Sequence, residues 1–398
     1  MARVLCAWEY GGDLGHIQRL TALAVALRDA GHEPALAFSN LQHAGATSRG
    51  FRCYAAPLTT GVERPNLSPA SLASILLDLG FHDGGGIEGP VRAWLSLFEL
   101  EKPDAIVADY APVALLAARV AGIPAVTIGS GFSSPPSVHP LPSLRPWQAI
   151  TEATLRGADE ALTASANKAL TALGARPLAQ ASEIFAARDD ILCTFEELDP
   201  FGPREDAEYL GPLDESVPGE EVTWAGDRRP RVFAYLKPRY PGFMGLLAAL
   251  EATAGEAIVV APGLMAPQAQ ALSKPNVLVV PRAVSLAPVL ADCDLCIGHA
   301  GLGLTSKALA AGVPMALLPM HLEQFLIARR VEALGVSSHV RPTPPDRPLP
   351  DPTPWIAGLL RDEERRAKAK VLSARFASHS PRASATRAAA RVCAILGA

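Results

Sequence analysis

Residues 294–324, DLCIGHAGLGLTSKALAAGVPMALLPMHLEQ, form the stretch that decides the fold. An apolar run at 295–297 leads into glycines and then into an Ala- and Leu-rich segment, which predicts a buried strand, a tight turn and a helix. The start of a helix exposes unpaired N–H groups that carry partial positive charge. The turn and the hydroxyls of Thr305 and Ser306 are therefore placed to bind an anion such as a diphosphate, with His299 as a further donor.

The same succession of strand, glycine loop and helix recurs along the chain. Other strands are predicted at residues 3–8, 32–38, 105–108, 125–128, 190–194, 231–236, 257–261 and 277–280. Helices are predicted at residues 17–30, 91–100, 112–121 and 243–252, around 147–173, and over 355–396. Strands that alternate with helices predict an α/β protein with two facing Rossmann-like, doubly wound domains.

An interruption of this alternation marks the domain boundary. Residues 211–230, GPLDESVPGEEVTWAGDRRP, are acidic, contain Pro and Gly, and lack periodicity, which is typical of a linker. We therefore expect a first domain over residues 1–212, a linker over 213–230 and a second domain over 231–375. A C-terminal helix over 376–398 is expected to pack back on the first domain.

Composition limits the classes of protein that this chain represents. Its 398 residues are 49% hydrophobic and 19% charged, which indicates a globular protein long enough for two domains. A formal net charge of −4 gives no basic surface for nucleic acid, and no apolar run is long enough to span a membrane. The N-terminus lacks the apolar region of a signal peptide, so we expect a cytoplasmic protein with no nucleic-acid partner.

The cysteines do not point to metal binding. Six of them are scattered along the chain, which is not the pattern of a disulfide framework. Cys293 and Cys296 form a single Cys-x-x-Cys pair, and one such pair without nearby histidine spacing is poor evidence for zinc. We therefore expect no metal site.

The opening stretch resembles the donor-binding signature of the family 1 glycosyltransferases, the UDP-glycosyltransferase superfamily, and in particular its bacterial macrolide and natural-product type. That signature combines a His-Gly-Gly-x-Gly-Thr turn, a Gly-x-Pro and a final Asp/Glu-Gln. Its three parts fall here on His299-Ala300-Gly301-Leu302-Gly303, Gly312-Val313-Pro314 and Glu323-Gln324. The resemblance implies the GT-B architecture, with an acceptor-binding domain over 1–212 and a nucleotide-sugar-binding domain over 231–375.

The resemblance also implies a catalytic pair. The family's N-terminal Gly-His falls on Gly15-His16, and its catalytic Asp falls on Asp109 at the end of a predicted strand. An acceptor hydroxyl is a poor nucleophile, so a base must take its proton, and a histidine oriented by a carboxylate suits that task. His16 is then the base and Asp109 its partner, although His16 alone is also compatible with a helix cap and Asp109 with the start of a turn.

The implied reaction is inverting and independent of metal. A hexose moves from a UDP-sugar, with a TDP-sugar as the second choice, to a hydroxyl of a small-molecule acceptor, and no cofactor is needed beyond the nucleotide sugar. The candidate donor-binding residues are His299, Ala300, Gly301, Leu302, Gly303, Thr305, Glu323, Gln324, Arg282 and Lys237. The candidate acceptor-binding residues lie in loops and are Gly12, Phe81, His82 and Phe132.

Three departures from the family pattern leave the donor open. Lys307 stands where the family often has a Glu that accepts hydrogen bonds from the ribose hydroxyls of UDP, and a cation cannot accept them. Arg282 stands near the position of the aromatic residue that stacks on the base. Lys237 and Arg239 follow a strand that usually leads into a Ser/Gly-rich turn, where they are placed either to bind an anion or to be plain surface charges.

Two alternatives follow from these departures. A sugar-nucleotide epimerase would share the two-domain fold and convert a nucleotide sugar without an acceptor. A non-catalytic binding or accessory protein of this fold would bind a metabolite without turnover. Fold analogy alone does not discriminate among the three.

Overall fold

The structure, a computed structural model, describes residues 1–12, 14–42, 44–47, 50–59, 61, 68–82, 86–213, 219–341 and 350–397. Parts of the predicted loop at 81–89, the linker at 213–230 and the Pro-rich segment at 341–354 lie outside these residues. The chain forms two compact units. Unit 1 comprises residues 1–214 and 380–398, and unit 2 comprises residues 215–379.

Unit 1 is built on one parallel sheet. Its strands are β1 (Arg3–Trp8), β2 (Glu33–Phe38), β3 (Arg52–Ala55), β4 (Ala105–Asp109), β5 (Ala125–Gly129) and β6 (Asp189–Leu192). Its α-helices are α1 (Gly15–Asp29), α2 (Ala44–Thr47), α3 (Leu72–Asp78), α4 (Glu88–Glu101), α5 (Pro112–Ala121), α6 (Glu152–Ala172) and α14 (Pro381–Leu396). Two short 3₁₀ helices cover Ala181–Phe185 and Glu196–Leu198.

Unit 2 repeats this plan. Its strands are β7 (Arg231–Tyr235), β8 (Glu256–Val260), β9 (Val277–Val280), β10 (Leu295–Gly298), β11 (Met315–Leu317) and β12 (Ser337–His339). Its helices are α7 (Phe243–Thr253), α8 (Ala266–Leu272), α9 (Leu286–Leu290), α10 (Leu302–Ala311), α11 (Leu322–Ala333), α12 (Thr353–Arg361) and α13 (Glu363–Ser373).

The two sheets have the same topology. The strand order is β3-β2-β1-β4-β5-β6 in unit 1 and β12-β11-β10-β7-β8-β9 in unit 2. Neighbouring strands pair in parallel, so both orders are the doubly wound Rossmann order. In each sheet the order reverses between the first and fourth strands, β1 and β4 or β7 and β10. We call these two places the switch points, because ligands of open α/β sheets bind outside the carboxyl ends of the strands there.

The core of unit 1 forms between the sheet and two helices. Helix α1 turns Leu20, Leu23 and Leu27 inward, and all three are fully buried. Helix α14 packs against α1 with small residues such as Ala388, which permit a close approach, and the Ser384 hydroxyl at its start donates to the Leu210 carbonyl. The C-terminal helix is therefore part of the core of unit 1.

Close backbone packing explains a glycine in unit 2. Gly312 ends α10 with φ +69, a conformation that side chains disfavour. A Cβ atom at this position would also lie 3.1 Å from the Cα atom of Lys370 on α13. The Gly-x-Pro of the opening stretch thus marks the end of a helix that packs closely against its neighbour.

The structure confirms the predicted fold class and departs from the predicted elements in a few places. Strand β3 lies at a sheet edge and is largely exposed, and β12 is polar, so neither has the apolar pattern on which the sequence prediction relied. The segment predicted to be helical over 355–396 comprises three helices. Asp362 accepts a hydrogen bond from the Arg365 N–H at the start of α13, and Pro381 occupies the first turn of α14.

The described part of the predicted linker packs on unit 2. Glu220 forms an isolated parallel bridge with Val284, and the Trp224 Nε1–H donates to the Val289 carbonyl at 3.3 Å. None of the helices in the described residues is both long and apolar enough to cross a membrane.

Candidate active site

At the switch point of unit 1, three charged or titratable side chains meet. His16 and Arg19 lie one turn apart on α1 and therefore share a helix face, while Asp109 ends β4. His16 Nδ1 lies 2.9 Å from Asp109 Oδ1, and Arg19 Nη1 lies 2.6 Å from Asp109 Oδ2. The structure thus brings together the predicted pair and adds a third residue, Arg19, that the sequence analysis missed.

The environment of Asp109 keeps it ionised. Its side chain is fully buried, and burial alone would favour the neutral acid. The positive charge of Arg19 and the ring of His16 outweigh this effect and hold the pKa of the Asp109 carboxyl below its usual range. A buried carboxylate beside a histidine orients the ring and stabilises the imidazolium that forms when the ring takes up a proton.

The ring of His16 is held on two sides. It stacks on Trp8 with ring centroids 5.2 Å apart and an angle of 11° between the planes, and the Trp8 Nε1–H donates to the Tyr10 carbonyl at 2.6 Å. Because Nδ1 faces Asp109, Nε2 is the nitrogen that can accept a proton from a substrate. It lies beside Gly11, where a Cβ atom would come within 2.7 Å of it, and Gly11 has φ +90.

Aromatic residues surround this pair. The Tyr110 ring makes edge contacts with Tyr10 and Phe132, and the Tyr10 N–H donates to the Tyr110 carbonyl at 3.1 Å. Tyr110 itself has φ +49, a left-handed conformation that is uncommon for a bulky residue. The loops that follow β1 and β4 are therefore joined into one aromatic surface.

The four candidate acceptor-binding residues have different exposures. Gly12 is exposed, His82 is half-buried and Phe132 is 6% exposed. Phe81 has no exposed surface in this structure and packs edge-on against Tyr10, and acceptor binding by Phe81 stays a prediction. Its bulk supports the Tyr10 ring from the interior.

A second buried carboxyl group, that of Glu9, connects the strand and the helix at the same switch point. Glu9, which directly follows β1, accepts hydrogen bonds from the N–H groups of Val113 at 2.9 Å and Ala114 at 2.6 Å, at the start of α5. Burial raises the pKa of the Glu9 carboxyl to about 8, against the lowering effect of these bonds. The sequence indicates this contact only weakly. Pro112 marks the first turn of α5, and Ala111 before it has no side chain that could cap the helix, so the N–H groups there need another partner.

At the switch point of unit 2, His299 has a different environment. Its Nε2 accepts the Lys237 N–H at 2.9 Å, which requires the ring proton to sit on Nδ1, and Nδ1 then donates to the Leu318 carbonyl at 2.8 Å. The ring is 5% exposed and packs on Tyr240. Both ring nitrogens are thus engaged with backbone in this structure. Donor binding by His299 stays a prediction. His299 joins β7, β10 and β11.

The turn after His299 has the geometry of an anion site. Ala300 has φ +58, the conformation for which the family signature uses glycine. Gly301 is the N-cap of α10, and no side chain caps this helix start. Thr305 and Ser306 are buried, and the Ser306 hydroxyl has no hydrogen-bond partner among the described residues. The first N–H groups of α10 lack partners within the helix, as at any helix start.

The other predicted donor-binding residues are placed as follows. Gln324 is buried, and its Oε1 accepts the Met320 N–H at 2.8 Å, while Glu323 is half-buried. Lys237, two residues after the end of β7, is half-buried, and Arg239 is exposed. The Arg282 side chain is 79% exposed and lies 3.4 Å from Glu220, a surface ion pair.

The cysteines are free thiols. Burial raises the pKa of the Cys293 thiol to about 12 and that of Cys296 well above its usual value, so neither is a reactive thiolate at neutral pH. Among the residues that the structure describes, no group of three His, Cys, Asp or Glu side chains has the arrangement of a metal site.

Comparisons by sequence find short matches to known glycosyltransferases. No family model matches the chain. The NDP-glycosyltransferase YjiC of Bacillus licheniformis is 43% identical over 54 residues, which is 14% of each chain. The sterol 3-beta-glucosyltransferase of Yarrowia lipolytica is 44% identical over 48 residues, 12% of this chain and 3% of that enzyme. The matched segment therefore spans only a small part of these relatives.

Comparisons by structure cover the whole chain. The calicheamicin glycosyltransferase CalG4 gives a TM-score of 0.68 at 21% identity, over 100% of this chain and 98% of that one. The glycotransferase of kitacinnamycin gives 0.67 at 19% identity, over 99% of both chains. The glycosyltransferase VinC in complex with DTDP gives 0.67 at 16% identity, again over 99% of both.

These neighbours confirm the GT-B fold predicted from the sequence, and the resemblance to glycosyltransferases is confirmed with it. The chain has the fold of the GT-B glycosyltransferases that act in macrolide and other natural-product pathways.

Proposed function

We propose that this protein is an inverting, metal-independent glycosyltransferase that moves a hexose from a UDP- or TDP-sugar to a hydroxyl of a small molecule. The observation that carries the proposal is the contact of 2.9 Å between His16 Nδ1 and the fully buried Asp109, at the switch point of a chain with a glycosyltransferase fold. We propose unit 1 as the acceptor-binding unit and unit 2 as the nucleotide-sugar-binding unit.

The proposed reaction is a single displacement. The acceptor oxygen attacks the anomeric carbon while its proton passes to His16 Nε2, and the carbon–oxygen bond to the nucleoside diphosphate breaks with both electrons going to the leaving oxygen. Asp109 stabilises the imidazolium formed in this step. Attack from the side opposite the leaving group inverts the anomeric carbon.

The leaving diphosphate gains negative charge, which the start of α10 is suited to receive. The uncapped N–H groups after Gly301, the buried Thr305 and the unpartnered Ser306 hydroxyl are preorganised hydrogen-bond donors. Donors that need no rearrangement stabilise developing charge most effectively. We propose Gln324 and Glu323 as partners of the sugar hydroxyls, with Gln324 using its amide nitrogen because its oxygen accepts the Met320 N–H.

We propose TDP as the preferred donor nucleotide. Lys307, half-buried on α10, replaces the Glu that would accept hydrogen bonds from both ribose hydroxyls, and TDP lacks one of those hydroxyls. VinC, which shares this fold, has been crystallised with DTDP.

Thermal unfolding with UDP, TDP and GDP tests the nucleotide first. A ligand that binds only the folded state raises stability by mass action, about 2.7 kcal/mol at a hundred times its Kd. We expect the largest rise with TDP. A larger rise with GDP, or none with any of the three, would contradict the proposed donor site.

Turnover of TDP-glucose and UDP-glucose with a panel of phenols and alcohols then tests the reaction. We expect a glycoside whose anomeric configuration is opposite to that of the donor, as read from its NMR coupling constants. Conversion of the nucleotide sugar without an acceptor would identify an epimerase, and binding without any conversion would identify a non-catalytic protein.

A further inference from the structure

We propose that Arg19 is a positioning residue that sets the charge of the pair formed by His16 and Asp109; this inference rests on the proposed function. The Asp109 carboxylate is shared between two partners, with Oδ2 at 2.6 Å from Arg19 and Oδ1 at 2.9 Å from His16. A histidine that faces a carboxylate alone belongs to a pair with one negative charge. With Arg19 present, the three side chains together are neutral.

Burial makes this charge matter. The Arg19 side chain is 8% exposed and that of Asp109 is 1% exposed, so water screens their interaction weakly. Before the reaction, Arg19 already balances the carboxylate, and proton uptake by His16 therefore leaves the trio with one positive charge. Without Arg19 the same uptake would leave it neutral. Arg19 thus weakens the attraction of Asp109 for a proton on His16.

Arg19 also fixes the geometry of the carboxylate. It engages Oδ2, which leaves Oδ1 directed at His16, and it favours the ionised form of a group that burial alone would neutralise. A neutral acid at position 109 would no longer stabilise an imidazolium. One side chain thereby holds the orientation of Asp109 and limits its pull on the His16 proton.

Within the described part of the chain, three other titratable groups close to the trio have contacts of their own. The Glu9 carboxyl group binds the start of α5, the Tyr10 hydroxyl contacts Thr59, and the Tyr110 ring packs on Phe132. On α14, which packs against α1, two of the three arginines pair with acidic residues: Arg387 with Glu208, and Arg391 with Asp189 and Glu208. Among the described residues, Arg19 is the arginine in contact with Asp109.

Two substitutions separate charge from packing. Arg19→Met removes the charge and keeps most of the aliphatic length, whereas Arg19→Lys keeps the charge. We measure the acidic limb of the kcat/KM profile, the proton titration of the His16 ring signals and the ¹³C titration of the Asp109 carboxyl. In Arg19→Met we expect the acidic limb, and the pH at which the His16–Asp109 pair takes up a proton, to move to higher pH. The expected shift is about 1 to 3 units, the range for an aspartate beside an oppositely charged group. Arg19→Lys should restore most of the original profile.

The matched control is Arg231→Met. Arg231 has the same side-chain exposure of 8%, pairs with Glu256 at 3.4 Å, and lies at the start of β7 in unit 2. We expect it to lower the midpoint of thermal unfolding without moving the acidic limb. If Arg19→Met did the same, with neither His16 nor Asp109 titrating at higher pH, Arg19 would be a structural residue and the inference would be overturned.

The titrations use no substrate, so the inference and the proposed function fail separately. If the wild-type protein is inactive but Arg19→Met raises the pH at which the His16–Asp109 pair takes up a proton, the inference stands and the proposed transferase function is refuted. If the enzyme is active but Arg19→Met changes neither the acidic limb of its kcat/KM profile nor the titration of the His16 ring signals, the proposed function stands and the inference is refuted.

Discussion

The two switch points have the same topology and each carries a histidine, yet the two histidines have opposite surroundings. In unit 1, His16 faces a buried carboxylate and an arginine, and its second nitrogen lies beside the backbone of Gly11. In unit 2, His299 is engaged at both nitrogens by the backbone of Lys237 and Leu318. The first arrangement supports a change of protonation, and the second fixes one neutral tautomer.

The partners of a histidine ring determine its protonation behaviour more than its place in the fold does. A carboxylate partner favours the charged ring and suits a base that must take up a proton. A backbone N–H aimed at a ring nitrogen disfavours protonation of that nitrogen, because the proton would face the donor hydrogen. We therefore propose a catalytic role for the unit 1 histidine and a structural role for the unit 2 histidine.

The largest effect is expected for His16→Ala. Loss of a general base lowers turnover by about 10² to 10⁴-fold. The free energy of unfolding should change little, because the His16 side chain is partly exposed and the substitution leaves the Arg19–Asp109 pair in place. Initial rates with TDP-glucose, measured beside the unfolding midpoint, check this. Unchanged turnover would remove His16 from the mechanism.

A slightly smaller loss is expected for Gly11→Ala. The new Cβ atom would lie 2.7 Å from His16 Nε2, and φ +90 is strained for alanine. Displacement of a catalytic group by about 1 Å can cost about 10²-fold in rate. Gly12→Ala is the matched control, because its Cβ would meet nothing within 4 Å. Equal rates for both variants would indicate that the space beside Nε2 is unimportant.

His299→Ala should act on stability instead of on protonation. It leaves the buried Lys237 N–H and Leu318 carbonyl without their partner, at a cost of about 1 to 3 kcal/mol for each unsatisfied group. Chemical denaturation measures this loss. His299→Gln, whose amide can both accept and donate, should recover part of it. The shape of the pH–rate profile should stay that of the wild type, and a moved acidic limb would break the distinction between the two histidines.

The smallest effect is expected for Glu9 at the unit 1 switch point. Burial raises the pKa of Glu9 from 4.5 to about 8, so the folded state holds a proton that the unfolded state has lost between these values. The free energy of unfolding should therefore fall as pH rises through this window, by at most about 1.4 kcal/mol per pH unit. Glu9→Gln should flatten this slope in urea titrations at pH 5 to 8. An equal slope in both proteins would exclude Glu9 as its source.

The fold was predictable because its signals are local. Helix α5, Pro112–Ala121, and strand β9, Val277–Val280, have the bounds that the sequence analysis predicted, since apolar runs and proline or glycine mark their ends. The short polar strand β12 lacks such a pattern and pairs only through its neighbour β11. Its formation depends on tertiary contact.

The site was predictable only where a motif carried it. His16 and Asp109 followed from the family resemblance, and their contact agrees with it. Arg19 and Glu9 were missed because their partners lie 90 and 104 residues away in the sequence, so their pairing depends on the adjacency of β1 and β4. The backbone contacts of His299 were not predicted, because its bond to Lys237 spans 62 residues. No local pattern distinguishes a braced histidine from a ligand-binding one.

The most direct test of the account is a ¹⁵N NMR titration of the histidine ring nitrogens between pH 5 and 9, with signals assigned through His16→Gln and His299→Gln. We predict that the two histidine rings differ in their response to pH. The His299 ring should keep its proton on Nδ1 and an unprotonated Nε2 throughout. A His299 ring that titrates like His16, or that carries its proton on Nε2, would contradict the division between a base in unit 1 and a brace in unit 2.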